Sequence, residues 1–190
     1  AYQNPILEKV YGLPTYSVDA VCEEFAAYAE RLNPHIVESG KLLNEELAQG
    51  KSILFEGAQA TMLDIDHGTY PFVTSSNCTA GSGVGPTNID RVLGVAKAYL
   101  TRVGSGPFPT ELDLDEGVGK FLLETGHEYG VTTGRKRRCG WYDAVVTKFA
   151  AQVNGLTDLA ITKLDVLTGL DTIKVCTAYD CDGVEYTTVP

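Results

Sequence analysis

Arg135, Lys136, Arg137 and Arg138 stand side by side in "YGVTTGRKRRCGWYDA", within a chain of formal net charge −10. Guanidinium groups such as Arg135 and Arg137 clamp carboxylates or phosphates through paired N–H donors. Thr132 and Thr133 add hydroxyls beside them, and Gly134 lets a backbone approach a ligand closely. A solvated turn is the plain alternative. Four adjacent cations repel one another unless anions compensate them, so a small polyanionic ligand is the expectation for this loop.

A second chemical segment is "TKLD", Thr162 to Asp165, directly after the apolar "DLAI". As a bare pattern of Thr or Asn, then Lys, any residue and Asp, it arises by chance in about one chain of this size in fifteen at average residue usage. Its place after an apolar strand carries more weight, because open α/β sheets bind ligands at the carboxyl ends of their strands. An aspartate there accepts from two adjacent N–H donors of the kind guanine presents, while a lysine stem covers the base.

A third is "FEGAQATMLDIDHGTYPFVTSSN". Gln59 follows a short apolar run, and its neutral amide can donate to an oxyanion without adding charge. Thr74, Ser75, Ser76 and Asn77 suit a phosphate or a sugar, with turn chemistry as the alternative. Asp64, Asp66 and His67 suggest a metal, but the spacing is not that of a calcium loop, and a satisfied structural network is the expectation. Cys22, Cys78, Cys139, Cys176 and Cys181 include no C-x-x-C pair and read as reduced thiols, while His35 and His127 gain no role from spacing.

The elements that must position these residues alternate in type. Helical spacing predicts a helix from Ser17 to the Asn33-Pro34 stop, and a second over Leu42 to Gln49 before Gly50. "KSILFEG" predicts a buried strand. Thr87 and Asp90 predict a capping box opening a helix with Ile89, Val92, Leu93, Ala96, Tyr99 and Leu100 on one face. Further helices are predicted around Val118 to Glu124 and from Trp141 to Val153, and "DLAITKLDVL" and "TIKVCTAYD" as strands. Asp182-Gly183 predicts a hairpin turn into "VEYTTV". The expected class is α/β, with a partly parallel central sheet flanked by helices and a β-hairpin near the C-terminal end.

Taken together, "FEGAQATMLDIDHGTYPFVTSSN", "TRVGSGPFPTEL", "GVTTGRKRRCGWYDAVV", "TKLDVLTGL" and "AYDCDG…TTVP" resemble adenylosuccinate synthetases, in family order and over essentially the whole chain. The resemblance implies GTP- and magnesium-dependent ligation of IMP and L-aspartate, through a 6-phosphoryl-IMP intermediate, in the committed step from IMP to AMP. It implies that Gln59 stabilises the 6-oxyanion of IMP, that Thr74 contacts its phosphate, and that Val103 lines its ribose. The loop Val131, Thr132, Thr133, Gly134, Arg135, Lys136 and Arg137 would bind aspartate, with Arg135 also near IMP and Arg137 reaching GTP. Lys163, Leu164 and Asp165 would meet guanine.

The family's glycine-rich phosphate loop "GDEGKGK", with its catalytic aspartate, has no counterpart here. The resemblance therefore implies a single internal fragment over residues 1–190, inactive alone, whose magnesium ligands lie elsewhere and which itself supplies no metal site. Ala60 stands where the family usually has glycine, and "NCTAGSGVGP" is shorter than the family's loop. A cytoplasmic homodimer is expected of the complete enzyme. A non-catalytic guanine-nucleotide-binding module is the alternative. The acidic balance argues against nucleic acid or an anionic membrane as partner, since phosphate affinity needs many cations on one face.

Overall fold

The structure is a computed structural model that describes residues 2–81 and 84–189. It divides into two compact units, Ala1–Ile53 and Leu54–Pro190.

The first unit is helical. α1 spans Asn4–Lys9, α2 Val18–Leu32 and α3 Ser39–Ala48. Ser17 caps α2 by accepting from the Ala20 N–H at 3.3 Å, and the helix stops just before Pro34, as its spacing predicts. α3 starts three residues earlier than the apolar pattern suggests, because the Glu38 carboxylate caps it through the Gly40 N–H. The Asn4 amide bridges both backbone groups of Tyr16, tying the start of α1 to the segment just ahead of α2.

The second unit holds the expected mixture of strands and helices, with β1 at Leu93–Lys97, β2 at Leu100–Arg102, α4 at Gly117–Thr125, β3 at Arg138–Gly140 and β4 at Tyr142–Asp143. α5 at Ala144–Asn154, β5 at Asp158–Thr162, β6 at Val175–Cys176, β7 at Tyr179–Cys181 and β8 at Val184–Tyr186 complete it. β1 and β5 run parallel from Leu93↔Asp158 to Lys97↔Thr162, and β4 and β6 are also parallel. β2 with β3, and β7 with β8, are antiparallel, the latter being the predicted hairpin. The partly parallel character is therefore present, distributed over two-stranded pairs. The core gathers Ala98, Tyr99, Leu122, Leu123, Cys139, Val166 and Leu167, with Leu112, Val118 and Phe121 packed against it. Burying a leucine such as Leu122 contributes roughly 1.5–3 kcal/mol.

Three expectations are overturned. The helix predicted from Thr87 is a single 3₁₀ turn, Pro86–Asn88, followed by β1 and β2. Gly94 and the β-branched Val92 and Val95 weaken a helix, and the apolar "DLAIT" segment offers a parallel ladder instead. "KSILFEG" forms no strand: Leu54 is 95% exposed, and an extended segment without a ladder partner is not a strand. Trp141 lies between β3 and β4, ahead of α5, whose cap is Asp143 accepting from the Val146 N–H at 3.0 Å.

Candidate functional site

The basic loop leaves and rejoins the fold at a narrow neck. Tyr129 and Lys136 form an antiparallel bridge, the Gly130 N–H donates to the Arg135 carbonyl at 2.8 Å, and the Arg137 N–H donates to the Glu128 carbonyl at 2.9 Å. Gly134, at φ +63°, turns the tip, and its N–H donates back to the Gly130 carbonyl at 2.7 Å. Val131 is 98% exposed and Thr132 to Arg135 are exposed beside it.

Repulsion within the cation run is relieved mostly from inside the protein. Arg138 pairs with both Glu111 carboxylate oxygens through its Nε and Nη2, and its Nη1 donates to the Gly104 and Gly106 carbonyls. Arg137 donates to Glu128 at 2.9 Å, and Lys136 lies 3.5 Å from Asp115. Among the described residues, Arg135 alone of the four has no carboxylate partner. The polyanion expected for the whole run therefore narrows to the loop tip.

Glu128 is the hub beneath it. Its carboxylate, only 1% exposed, receives Lys97 Nζ at 2.7 and 2.8 Å, the Tyr99 hydroxyl at 2.7 Å and Arg137 Nη1 at 2.9 Å. Burial pushes this carboxyl up, but hydrogen bonds from Lys97, Tyr99 and Arg137 outweigh it and hold the group below its ordinary value. Burial and the same contact push the Tyr99 phenol far up, so Tyr99 serves as a donor.

The hub also reaches the "TKLD" segment. Lys97 ends β1 opposite Thr162, which ends β5, and Lys163 follows with a left-handed backbone at φ +62°. Lys163 Nζ donates to the Gly126 carbonyl at 2.8 Å, two residues before Glu128. Leu164 and Asp165 are exposed on the 3₁₀ turn Leu164–Leu167, just beyond the carboxyl ends of the parallel pair. The basic loop and the "TKLD" segment thus share one support, Gly126 to Tyr129.

Gln59 and Thr74 belong to a second assembly. Gln59 is exposed at φ +61°, and its Oε1 accepts from Cys78 Sγ at 3.8 Å, which leaves the amide N–H₂ to donate outward. Thr74 is fixed by its N–H to the Leu63 carbonyl at 2.7 Å. Asp64, fully buried, holds this loop together by accepting from the N–H groups of Asp66, His67, Cys78 and Thr79. Burial pushes the Asp64 carboxyl up, yet these backbone donors together hold it well below the carboxylate range. This is the structural network expected of Asp64, Asp66 and His67. Ser82 and Gly83, in the shortened "NCTAGSGVGP", lie outside the described residues.

Val103 is 59% exposed at the end of β2, next to Arg102. No hydrogen bond or ion pair among the described residues joins Gln59, Thr74 or Val103 to the basic loop. The five cysteines are all free thiols. Among the described residues no group of three or more His, Cys, Asp or Glu side chains is placed to hold a metal ion. None of the described helices is long and apolar enough to cross a membrane.

Sequence reasoning passed over Glu128, Lys97, Glu111 and Arg102. Glu128 had one hint, an acidic residue immediately ahead of the cation loop. Nothing in the spacing marks Lys97 or Arg102, whose roles follow from which strands pair.

Comparison with known proteins extends over the whole chain. The adenylosuccinate synthetase family pattern matches residues 1–190. An adenylosuccinate synthetase of Bifidobacterium longum is 60% identical over 193 aligned residues, which cover 99% of this chain and 45% of the relative. One from Synechococcus elongatus is 60% identical over 188 residues, covering 96% of this chain and 42% of the relative. The structure of a fully ligated adenylosuccinate synthetase from Plasmodium falciparum superposes with a TM-score of 0.84 at 41% identity, covering 97% of this chain and 45% of that one. The chain spans less than half the length of these relatives, and it belongs to the adenylosuccinate synthetase family.

Proposed function

We propose that this chain supplies the middle of a ligase that joins IMP to L-aspartate at the expense of GTP, and that it is inactive alone. The observation that carries this reading is the shared support. One buried carboxylate, Glu128, fixes Arg137 at the root of a cation loop, and the adjacent Gly126 carbonyl holds Lys163 of the "TKLD" segment. A loop for an anionic substrate and a segment suited to guanine are thereby held in fixed relation.

On this reading Asp165 accepts from the guanine N–H groups, the Lys163 stem and the Leu164 backbone flank the base, and Arg137 faces the GTP side. Arg135, without an internal carboxylate, meets the substrate carboxylates and the IMP side. Val131, Thr132, Thr133, Gly134 and Lys136 shape the aspartate loop through hydroxyls and exposed backbone. Gln59 donates its outward N–H₂ to the oxyanion that develops on IMP, where a preformed neutral donor is worth more than in water. Thr74 takes the IMP phosphate, and Val103 packs on the ribose.

Magnesium would neutralise phosphate charge when bound, and its ligands are proposed to lie in the remainder of the enzyme. The complete enzyme is proposed to be a cytoplasmic homodimer. Nucleic acid is a poor partner, since three of the four clustered cations already have internal carboxylates.

A chimera tests the reading directly. Residues 1–190 replace the matching segment of the Bifidobacterium longum relative, and adenylosuccinate formation is followed from IMP, aspartate and GTP. The expected result is turnover that Arg135→Ala lowers on the order of a hundredfold, as for loss of a positioned charge clamp. A folded chimera that binds GTP without turnover would favour the non-catalytic module instead.

A further inference from the structure

Arg102 ends β2 and carries a half-buried guanidinium with no carboxylate partner among the described residues. Its hydrogen bonds all go to neutral oxygens. Nη2 donates to Thr69 Oγ1 and to the Phe72 carbonyl, each at 3.0 Å, and Nε donates to the Ser105 carbonyl at 3.1 Å. Two turns that are distant in sequence are pinned by one planar fork. The first turn runs directly into Val73 and Thr74, and the second directly follows Val103.

The surroundings are built around this fork. Gly106 has φ +115°, and a Cβ there would collide with the Arg102 guanidinium and come within 2.8 Å of Phe72 Cβ. The neighbouring Arg138 guanidinium is committed to Glu111, so it neither replaces Arg102 nor neutralises it. Burial, and then the nearby Arg138 charge, push the Arg102 group below its ordinary value, as expected for a cation kept away from anions. A lysine would carry the charge but could not span both turns, because it lacks the fixed fork.

We infer that Arg102 is a positioning residue for the nucleotide: its fork sets the spacing between Thr74 and Val103, and its unneutralised charge favours an anionic phosphate beside them. The inference rests on the proposed IMP reading of those two residues. Arg102 touches neither substrate nor reacting atoms. Its effect is carried through the turn Thr69–Phe72 and the turn at Ser105, and falls on nucleotide affinity rather than on the chemical step.

Steady-state kinetics of the chimera separate the outcomes. Arg102→Gln removes the charge and the fork, while Arg102→Lys keeps only the charge. Both variants are expected to raise KM for IMP on the order of tenfold, with Gln the worse of the two, while KM for GTP and kcat stay near those of the unsubstituted chimera. An equal loss toward all three substrates, or an unchanged KM for IMP in variants with the parental melting temperature, would overturn the inference alone. An inactive unsubstituted chimera would overturn the IMP reading, and this inference with it. Should either variant fail to fold, Gly106→Ala, which intrudes on the fork while leaving Arg102 in place, must still raise KM for IMP selectively.

Discussion

Asp64 and Glu128 are both buried carboxylates beneath candidate ligand loops, yet they are satisfied in opposite ways. Asp64 collects main-chain N–H groups, from residues two and three positions ahead and from Cys78 and Thr79 farther along the same loop. Glu128 collects side chains: Lys97 from β1, Tyr99 from the turn after it, and Arg137 from the base of the cation loop. The first arrangement needs few particular side chains, since any residue supplies an N–H and only the Asn77 amide, 3.4 Å from Asp64 Oδ1, adds a side-chain donor. The second needs four. Asp64 therefore stabilises one loop by itself, whereas Glu128 couples several elements and transmits a disturbance among them.

Removing the anchor that has backbone partners gives the largest expected effect. Asp64→Ala leaves four N–H donors without their acceptor at a buried site. Loss of the cooperative melting transition, or its reduction to a small fraction of the unfolding signal, is expected by calorimetry. A variant that melts like the parent would break the comparison, because it would show the loop held by something other than Asp64.

Glu128→Ala comes next. Removing one partner of a buried ion cluster typically costs about 3 kcal/mol or more, a fall of roughly 10 °C in Tm for a chain of this size. The loss should be strongly coupled: Glu128→Ala combined with Arg137→Ala should lose less than the sum of the two, by about 0.5–3 kcal/mol. Additivity would mean that Arg137 is not held by Glu128 at all.

Acid sharpens the same contrast. The folded pKa of Glu128 is depressed, so its stabilising contribution is complete above the unfolded value near 4.5 and is lost as pH falls through the folded value. Glu128→Gln should therefore flatten part of the stability loss below about pH 4.5 and leave the neutral side of the profile unchanged in slope.

How much of this was legible in sequence divides along the same line. The α2 helix and the Asp182-Gly183 hairpin follow from local chemistry and are found where the pattern puts them. So does the Asp64 loop, whose partners lie within one stretch of chain. Glu128, Lys97 and Arg102 were not legible, because their partners are set by which strands pair. The segment from Leu93 to Tyr99 fits a helix by spacing, while the strand-like "LTRVG" after it is β2 in the structure. For the first of these, only the parallel partner Asp158–Thr162 decides for a strand.

Arg135 gives the smallest expected change in stability, and the most informative one. Its neighbours in the run each pair with a carboxylate, while Arg135 engages only through its backbone, the N–H meeting Thr133 Oγ1 at 3.4 Å. An exposed side chain without a partner contributes little to folding, so Arg135→Ala should change stability by less than about 0.5 kcal/mol. Denaturant titration measures this without any ligand. A loss above about 1.5 kcal/mol, comparable to that of a hydrogen bond to a charged group, would show that the guanidinium is spent on the fold like those of Arg137 and Arg138. The cation loop would then have no side chain left over for a substrate carboxylate. A silent Arg135→Ala leaves the Glu128 hub and the loop tip as separable parts, one holding the loop in place and the other available to bind.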